Sequence, residues 1–448
     1  MFKNCGNHDK ATRRHFLFSA SGAAGFSLLN SHADAEEVAN PAKPRKTARA
    51  CIFINLAGAP SHLDTFAPKD GPWNPKDAKL TQNGKIILSE AYFPKLSKIT
   101  NDLCVLRSLQ SWEAAHDRGQ FYLQTGHPSN PAFAQETPHI GAVVSRELYD
   151  STKPLPPFLS FYGSGQQGQA FLSGRFAPMN PSPNPNGLST LEHNYYGTNS
   201  NARFEQRFNL LSALDAPLRK TPPDASFATY SSFYDSAKAM MYNSSIANVF
   251  KYTTEDQNRY GNTNIGRALI LARNAVRARN GAAFISATTG GWDMHQQMFD
   301  VTYPSNIYVV SNALDQAIGA LVEDLKASGD FQSTLIVAMG EFGRTPGNLN
   351  ALGGRDHWKN AMSALMLGGG VKGGQAIGDQ TADGAEISDP GWRGNRPIQT
   401  EDVVATIYSA LGIDWTKRIT DTPSNRVYEY VPFGTLGTYF PIDEVFGA

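Results

Sequence analysis

Cysteine is scarce in this chain, with three residues in 448. None has the spacing of a metal-binding or redox motif, which excludes a thiolate metal site and a disulfide-built scaffold. Cys5 belongs to the N-terminal segment, and Cys51 and Cys104 each lie in an apolar, strand-like run. For those two, a disulfide in an oxidising compartment and a pair of buried free thiols are both open. An excess of either charge is missing too, because 40 basic side chains face 40 acidic ones. That balance leaves no electrostatic footprint for nucleic acid or an anionic membrane. The apolar stretch Phe18–Leu29 is rich in Gly, Ala and Ser and too short to span a bilayer. What remains has the composition of a globular protein, long enough for one large domain or two ordinary ones.

The N-terminus reads as a targeting segment. Thr12-Arg13-Arg14-His15-Phe16-Leu17 precedes the apolar stretch, and Ala33-Asp34-Ala35 fits a small-x-small cleavage site. It resembles a twin-arginine export signal, with Phe18 where the pattern has lysine. The resemblance implies the twin-arginine export machinery as a partner, passage of an already folded protein, and a periplasmic or extracellular destination. Residues 1–35 are then the signal, and the Ala-, Pro- and Lys-containing residues 36–48 a linker.

Beyond the linker, short apolar runs bounded by Gly and Pro predict buried strands at Arg49–Leu56, Leu103–Leu109, Phe158–Tyr162, Ala282–Ala287, Thr334–Met339 and Ser363–Leu367. Helical spacing predicts helices from about His116 to Gly126, Asn264–Arg279, Ser305–Ser328 and Thr400–Leu411. Glu401 and Asp402 stand in the last helix's first turn, where carboxylates suit the dipole. Strands alternating with helices predict an α/β, doubly wound, mostly parallel sheet covered on both faces. The Gly-, Pro- and Asn-rich run from Gly163 to Asn201 and the helical stretch after it predict an insertion at about 163–280 within one domain, 49–448.

Chemistry-bearing residues recur where these strands end. Asp64 follows the first, Asp293 and His295 follow Ala282–Ala287, Glu341 follows Thr334–Met339, and Asp356-His357 lies shortly beyond. The carboxyl ends of an open α/β sheet meet at one crevice, and carboxylates mixed with imidazoles suit zinc, iron or manganese. This pattern predicts a metal-dependent hydrolase site. Asp356 beside His357 supplies an orienting partner, and Arg344 can pair with a carboxylate or hold an oxyanion. An ion pair between Glu341 and Arg344 that fixes the turn is the alternative. His62 reads as a turn residue, and His116 opens a helix, where free backbone N–H groups favour an anion or a neutral imidazole on a metal.

Four blocks carry a family resemblance: Ala57-Gly58-Ala59-Pro60-Ser61-His62-Leu63-Asp64-Thr65-Phe66, Gly291-Trp292-Asp293-Met294-His295, Gly340-Glu341-Phe342-Gly343-Arg344-Thr345-Pro346 and Gly354-Arg355-Asp356-His357-Trp358. In this order they resemble the exported bacterial family catalogued as domain of unknown function 1501. That family is grouped with the alkaline phosphatases and sulfatases, so the resemblance implies an alkaline phosphatase-like fold and a two-metal site. The sulfatase helix signature falls on His116 to Gly126, keeping Leu123, Thr125 and Gly126 but placing His116 at the nucleophile position. Phe342 falls where the superfamily has a ligand imidazole. His116 is therefore expected to replace that ligand, giving one metal on Asp293, His295 and His357 and another on Asp64, Glu341 and His116. The resemblance implies hydrolysis of a phosphate or sulfate ester by a metal-bound water, with Arg344 and Arg118 as anion clamps. One or two divalent ions are implied, zinc first, with manganese, iron or calcium as alternatives. A degenerate relative acting as an exported binding or assembly component is the competing expectation.

Overall fold

A seven-stranded sheet organises the chain, in the order Gln375–Ile377, Leu103–Leu109, Met362–Leu367, Thr334–Met339, Ala50–Leu56, Phe284–Thr289, Phe158–Phe161. The computed structural model describes residues 42–163, 165–187, 200–240 and 243–447. The expected signal (1–35), residues 36–41 of the linker and part of the Gly163–Asn201 excursion lie outside the described residues.

Six strands run one way and Met362–Leu367 alone runs against them. The central Ala50–Leu56 strand is buried at every position, as a strand covered on both faces must be. Its side chains divide by the two-residue period of a strand. Ile52 and Ile54 enter one core with the helices Asn264–Ala278 and Ile307–Ala327. Cys51 and Phe53 enter the other with Ile140–Glu147 and Thr400–Leu411. The α/β fold expected from the alternation is thus present, mostly parallel and covered by helices on both faces.

Strand and helix bounds fall within a few residues of those predicted, because buried parallel strands flanked by Gly and Pro leave little ambiguity. Asn306 caps Ile307–Ala327 through its Oδ1, which accepts from the Val309 N–H at 3.0 Å. Pattern reading did not find the Leu80–Asn83/Ile86–Ser89 hairpin or the Ile140–Glu147 helix. The hairpin is too short for its alternation to register, and the helix spans only eight residues.

Cys51 and Cys104 are both free and buried. Two strands separate theirs in the sheet, which puts the backbones roughly 14 Å apart at about 4.8 Å per strand, beyond disulfide reach. Burial pushes both thiols up, Cys104 to about 12, so neither is a reactive thiolate.

The parallel order decides where chemistry collects. Ala50–Leu56, Leu103–Leu109, Phe284–Thr289 and Thr334–Met339 all deliver their following loops to one edge of the sheet. Met362–Leu367, running backwards, starts from that edge, so the His357-Trp358 segment before it lies there too.

Candidate metal centre

Four side chains from three of those segments converge. His116, Asp293, His295 and His357 each offer a ligand atom, and these atoms all lie within 4.8 Å of one another. His116 opens the His116–Thr125 helix, and His357 pairs across a short ladder with Arg344. Asp293 and His295 leave the Phe284–Thr289 strand through Gly290-Gly291. Gly58 lets the loops approach, because a Cβ there would stand 2.6 Å from the Asp293 nitrogen, and its φ of +105° excludes most side chains as well.

The imidazoles are oriented by what their Nδ1 atoms touch. His116 Nδ1 lies 2.7 Å from Glu341 Oε1, His295 Nδ1 2.7 Å from Asp356 Oδ1, and His357 Nδ1 2.7 Å from the Ala114 carbonyl oxygen. A carbonyl and two carboxylates can only accept, so each ring donates from Nδ1–H and turns its Nε2 inward, the nitrogen that would offer its lone pair to a bound cation. His295 and His357 bring those Nε2 atoms to 3.1 Å. Asp293 Oδ1 lies 2.9 Å from His295 Nε2, 3.2 Å from His116 Nε2 and 3.7 Å from His357 Nε2. His116 Nε2 is buried and, apart from this contact with Asp293, has no hydrogen-bond partner among the described residues. Bonds of about 2.0–2.1 Å to a tetrahedral zinc put ligand atoms roughly 3.3 Å apart, close to these separations. Inward lone pairs with outward Nδ1–H donors are the arrangement of metal-ligating histidines. The four residues fit a divalent cation.

The charges around the cluster act on its members in different directions. The hydrogen bond to Glu341 raises the His116 pKa above the usual imidazole value against the opposing effect of burial. Burial lowers that of His357. For Asp293 burial is the largest influence and pushes up, but Arg344, by hydrogen bond and charge, carries the net shift below the usual carboxylate range. The hydrogen bond from His295 lowers Asp356.

Other residues expected at the site take different places. Glu341 is buried and accepts from the backbone N–H groups of Gly58 and Ala59, each at 3.1 Å, from Gln120 Nε2 at 2.8 Å and from His116 Nδ1. It holds His116 and is not among the four converging groups. Asp64 stands apart as well: its Oδ2 accepts from Ser61 Oγ at 2.5 Å and Arg355 Nε at 2.7 Å, a pair sealed from solvent. The expected second centre on Asp64, Glu341 and His116 therefore does not assemble. Asp64 is committed to a buried arginine, and Glu341 to donors on all sides.

Arg344 is buried and pairs with Asp293 Oδ1 at 2.5 Å rather than with Glu341. Its other N–H groups go to the carbonyls of Gly58, Ala59 and Arg355, and Nη1 also lies 3.3 Å from His295 Nε2. With its donors directed inward, it fixes the loops and offers no fork to a solvent oxyanion. Arg118 is exposed and bonds Glu113 at 2.8 Å, outside the cluster. His62 is buried, its Nε2 2.9 Å from the Gly384 carbonyl oxygen, a structural histidine within the turn. Phe342 packs its ring 5.1 Å from His116 and 4.8 Å from His357, an apolar wall behind both. Sequence reasoning missed the part played by Gln120 and Ala114. Gln120 sits one helical turn after His116, on the same face, and that spacing was a usable signal; nothing marked the Ala114 carbonyl.

The family model described as "Protein of unknown function (DUF1501)" matches residues 48–431. The chain belongs to that family. Among solved structures it is similar to Ps i-CgsB in complex with k-i-k-neocarrahexaose, at 13% identity and TM-score 0.42, covering 89% of this chain and 77% of that one. An alkaline phosphatase superfamily protein from Vibrio parahaemolyticus matches at 11% identity and TM-score 0.39, covering 91% and 76%. Phosphonate monoester hydrolase SpPMH from Silicibacter pomeroyi matches at 12% and 0.38, covering 82% and 73%. No curated protein matches the chain.

Proposed function

We propose that this member of the family is an exported, metal-dependent hydrolase of phosphate or sulfate esters with one cation on His116, Asp293, His295 and His357. The observation that carries the reading is the set of three inward Nε2 atoms around the Asp293 carboxylate, each ring locked from behind through Nδ1. A divalent cation in this cradle supplies Lewis acidity toward water and an ester oxygen. The chain's own part is to hold the imidazoles aligned, to keep one side of the cluster half-exposed for substrate, and to wall the other with Phe342. No hydroxyl or thiol stands at the position of His116, so a covalent route through serine, threonine or cysteine there is absent and direct attack by water fits best. All four groups would close a tetrahedral zinc, whereas an ion taking five or six ligands leaves positions for water and substrate. Manganese or iron therefore suits hydrolysis better than zinc.

One observation favours a second reading. With Asp64 sealed against Arg355 and Arg344 turned inward, a metal-holding binding component without turnover fits the same cluster. Metal content of the exported protein, by mass spectrometry, and turnover of 4-nitrophenyl phosphate and sulfate separate the readings. About one ion per chain and ester turnover, both lost in His357→Ala, support the hydrolase. One ion without turnover selects the binding component, and a folded protein without metal rejects both.

A further inference from the structure

A cleft of about 880 Å³ opens beside the metal centre, at the carboxyl ends of the Phe158–Phe161 and Phe284–Thr289 strands. It runs past Gly290 and Gly291, immediately before Trp292 and Asp293, and past Ala57, the neighbour of Gly58. Its size falls within the range of ligand-holding pockets. Among the described residues no side chain with a formal charge lines it, so a charged ligand group buried against them would lack a counter-ion.

The polar lining is organised from behind. Arg267 donates from Nε to the Tyr162 hydroxyl oxygen at 3.2 Å and from Nη2 to Asn264 Oδ1 at 2.8 Å. With those oxygens occupied, the Tyr162 O–H and the Asn264 amide N–H groups remain as donors. Gln166 acts likewise, accepting from Ser160 Oγ at 2.7 Å and donating to Asn180 Oδ1 at 3.4 Å. That leaves Ser160 lone pairs as acceptors and the Asn180 amide as a further donor. Tyr162 is also held at a φ of +59°, a conformation costly for a residue with a side chain. Pro304, Val309 and Val310 give the lining an apolar wall as well, with Ser305 beside it. The lining thus combines separated donors and acceptors without charge with apolar surface.

We infer that this cleft binds the uncharged, polyhydroxylated part of the substrate, a saccharide whose C–H face lies on the Pro304–Val309 wall and whose hydroxyls meet Tyr162, Asn180 and Asn264. The inference rests on the hydrolase reading only in making that saccharide the leaving group of the ester.

The test is binding of maltotriose, cellotriose, xylotriose, tri-N-acetylchitotriose and trigalacturonate to the full protein of known metal content, by calorimetry and saturation-transfer NMR. Gly290→Trp serves as a plug, since a Cβ there meets nothing within 4 Å, and Asn264→Leu removes a donor. At least one neutral oligosaccharide should bind with a Kd near or below about 1 mM, at least about tenfold weaker in each variant, with metal content unchanged. Absence of neutral binding up to about 20 mM, preference for the uronate, or undiminished binding in both variants overturns the inference. Neutral binding by a metal-free protein removes the hydrolase reading and keeps the cleft. Aryl-ester turnover without saccharide binding does the reverse.

Discussion

Glu341 joins two other segments to its own through one carboxylate. It receives Gly58 and Ala59 from the first loop and Gln120 and His116 from the helix that begins the site. The last of these sets the His116 tautomer, which a metal ligand needs settled before the ion arrives. Glu341→Gln keeps the size but removes the charge and presents an N–H₂ to one of the donors. Affinity for the ion should fall about 10- to 100-fold with stability little changed, measured by competition with a chelator of known affinity. An unchanged affinity would leave Glu341 a purely structural residue. Asp64 behaves oppositely. Arg355 bonds it and the carbonyls of Thr345 and Gly347, while its Nη2 already lacks a partner. Asp64→Ala strands that guanidinium, at a cost of about 3–5 kcal/mol in denaturant unfolding, while metal content stays constant. Metal loss at unchanged stability would return Asp64 to the ligand set.

At the scale of the element, the Thr400–Leu411 helix carries a pH dependence of its own. Glu401 and Asp402 suit its first turn, as their positions suggest, but Glu401 is also buried and accepts from the Tyr122 hydroxyl. Burial pushes Glu401 up from 4.5 to about 7, Asp402 adds to the rise, and Tyr122 and Arg396 oppose it. The folded state therefore holds this proton more tightly than the unfolded chain. Stability from it is complete below pH 4.5 and is lost as pH rises through about 7. At about 1.4 kcal/mol per pH unit, the loss is on the order of 3 kcal/mol. Glu401→Gln should remove it, so the variant's advantage over the parent in urea unfolding should grow from pH 5 to 8, to roughly that size. A constant difference across this range would show that Glu401 titrates normally. The same helix shows what pattern can and cannot convey. Its bounds, and those of the strands, were legible because apolar period and turn residues are local signals. The partners of its carboxylates were not, since Tyr122 lies 279 residues away from Glu401 in the chain. The site divides the same way. Asp293, His295 and His357 stand out at strand ends, whereas the withdrawal of Asp64 depends on an arginine 291 residues distant.

At the scale of the molecule, the metal centre ties together loops that follow the second, fourth and fifth parallel strands in chain order of this sheet's edge: His116 after Leu103–Leu109, Asp293 and His295 after Phe284–Thr289, and His357 after Thr334–Met339. Each belongs to a chain segment that unfolding would carry away from the others, so the cradle exists only in the folded protein. An ion that binds the native state alone stabilises all of it, by about 4 kcal/mol when the free ion exceeds Kd a thousandfold. Chelation should therefore lower the Tm of the whole domain by several degrees in one cooperative step, and readdition of the ion should restore it. His357→Ala should start from the lower Tm and lose its response to chelator, while Asn264→Leu, in the cleft, should respond like the parent. Such linkage would give the proposed export of a folded protein a physical consequence, because a chain loaded before translocation would cross already stabilised. An unchanged Tm on chelation of an ion-bearing sample would place that ion away from His116, Asp293, His295 and His357. The three inward nitrogens would then have to be satisfied by water and by Arg344, which approaches His295 Nε2 to 3.3 Å.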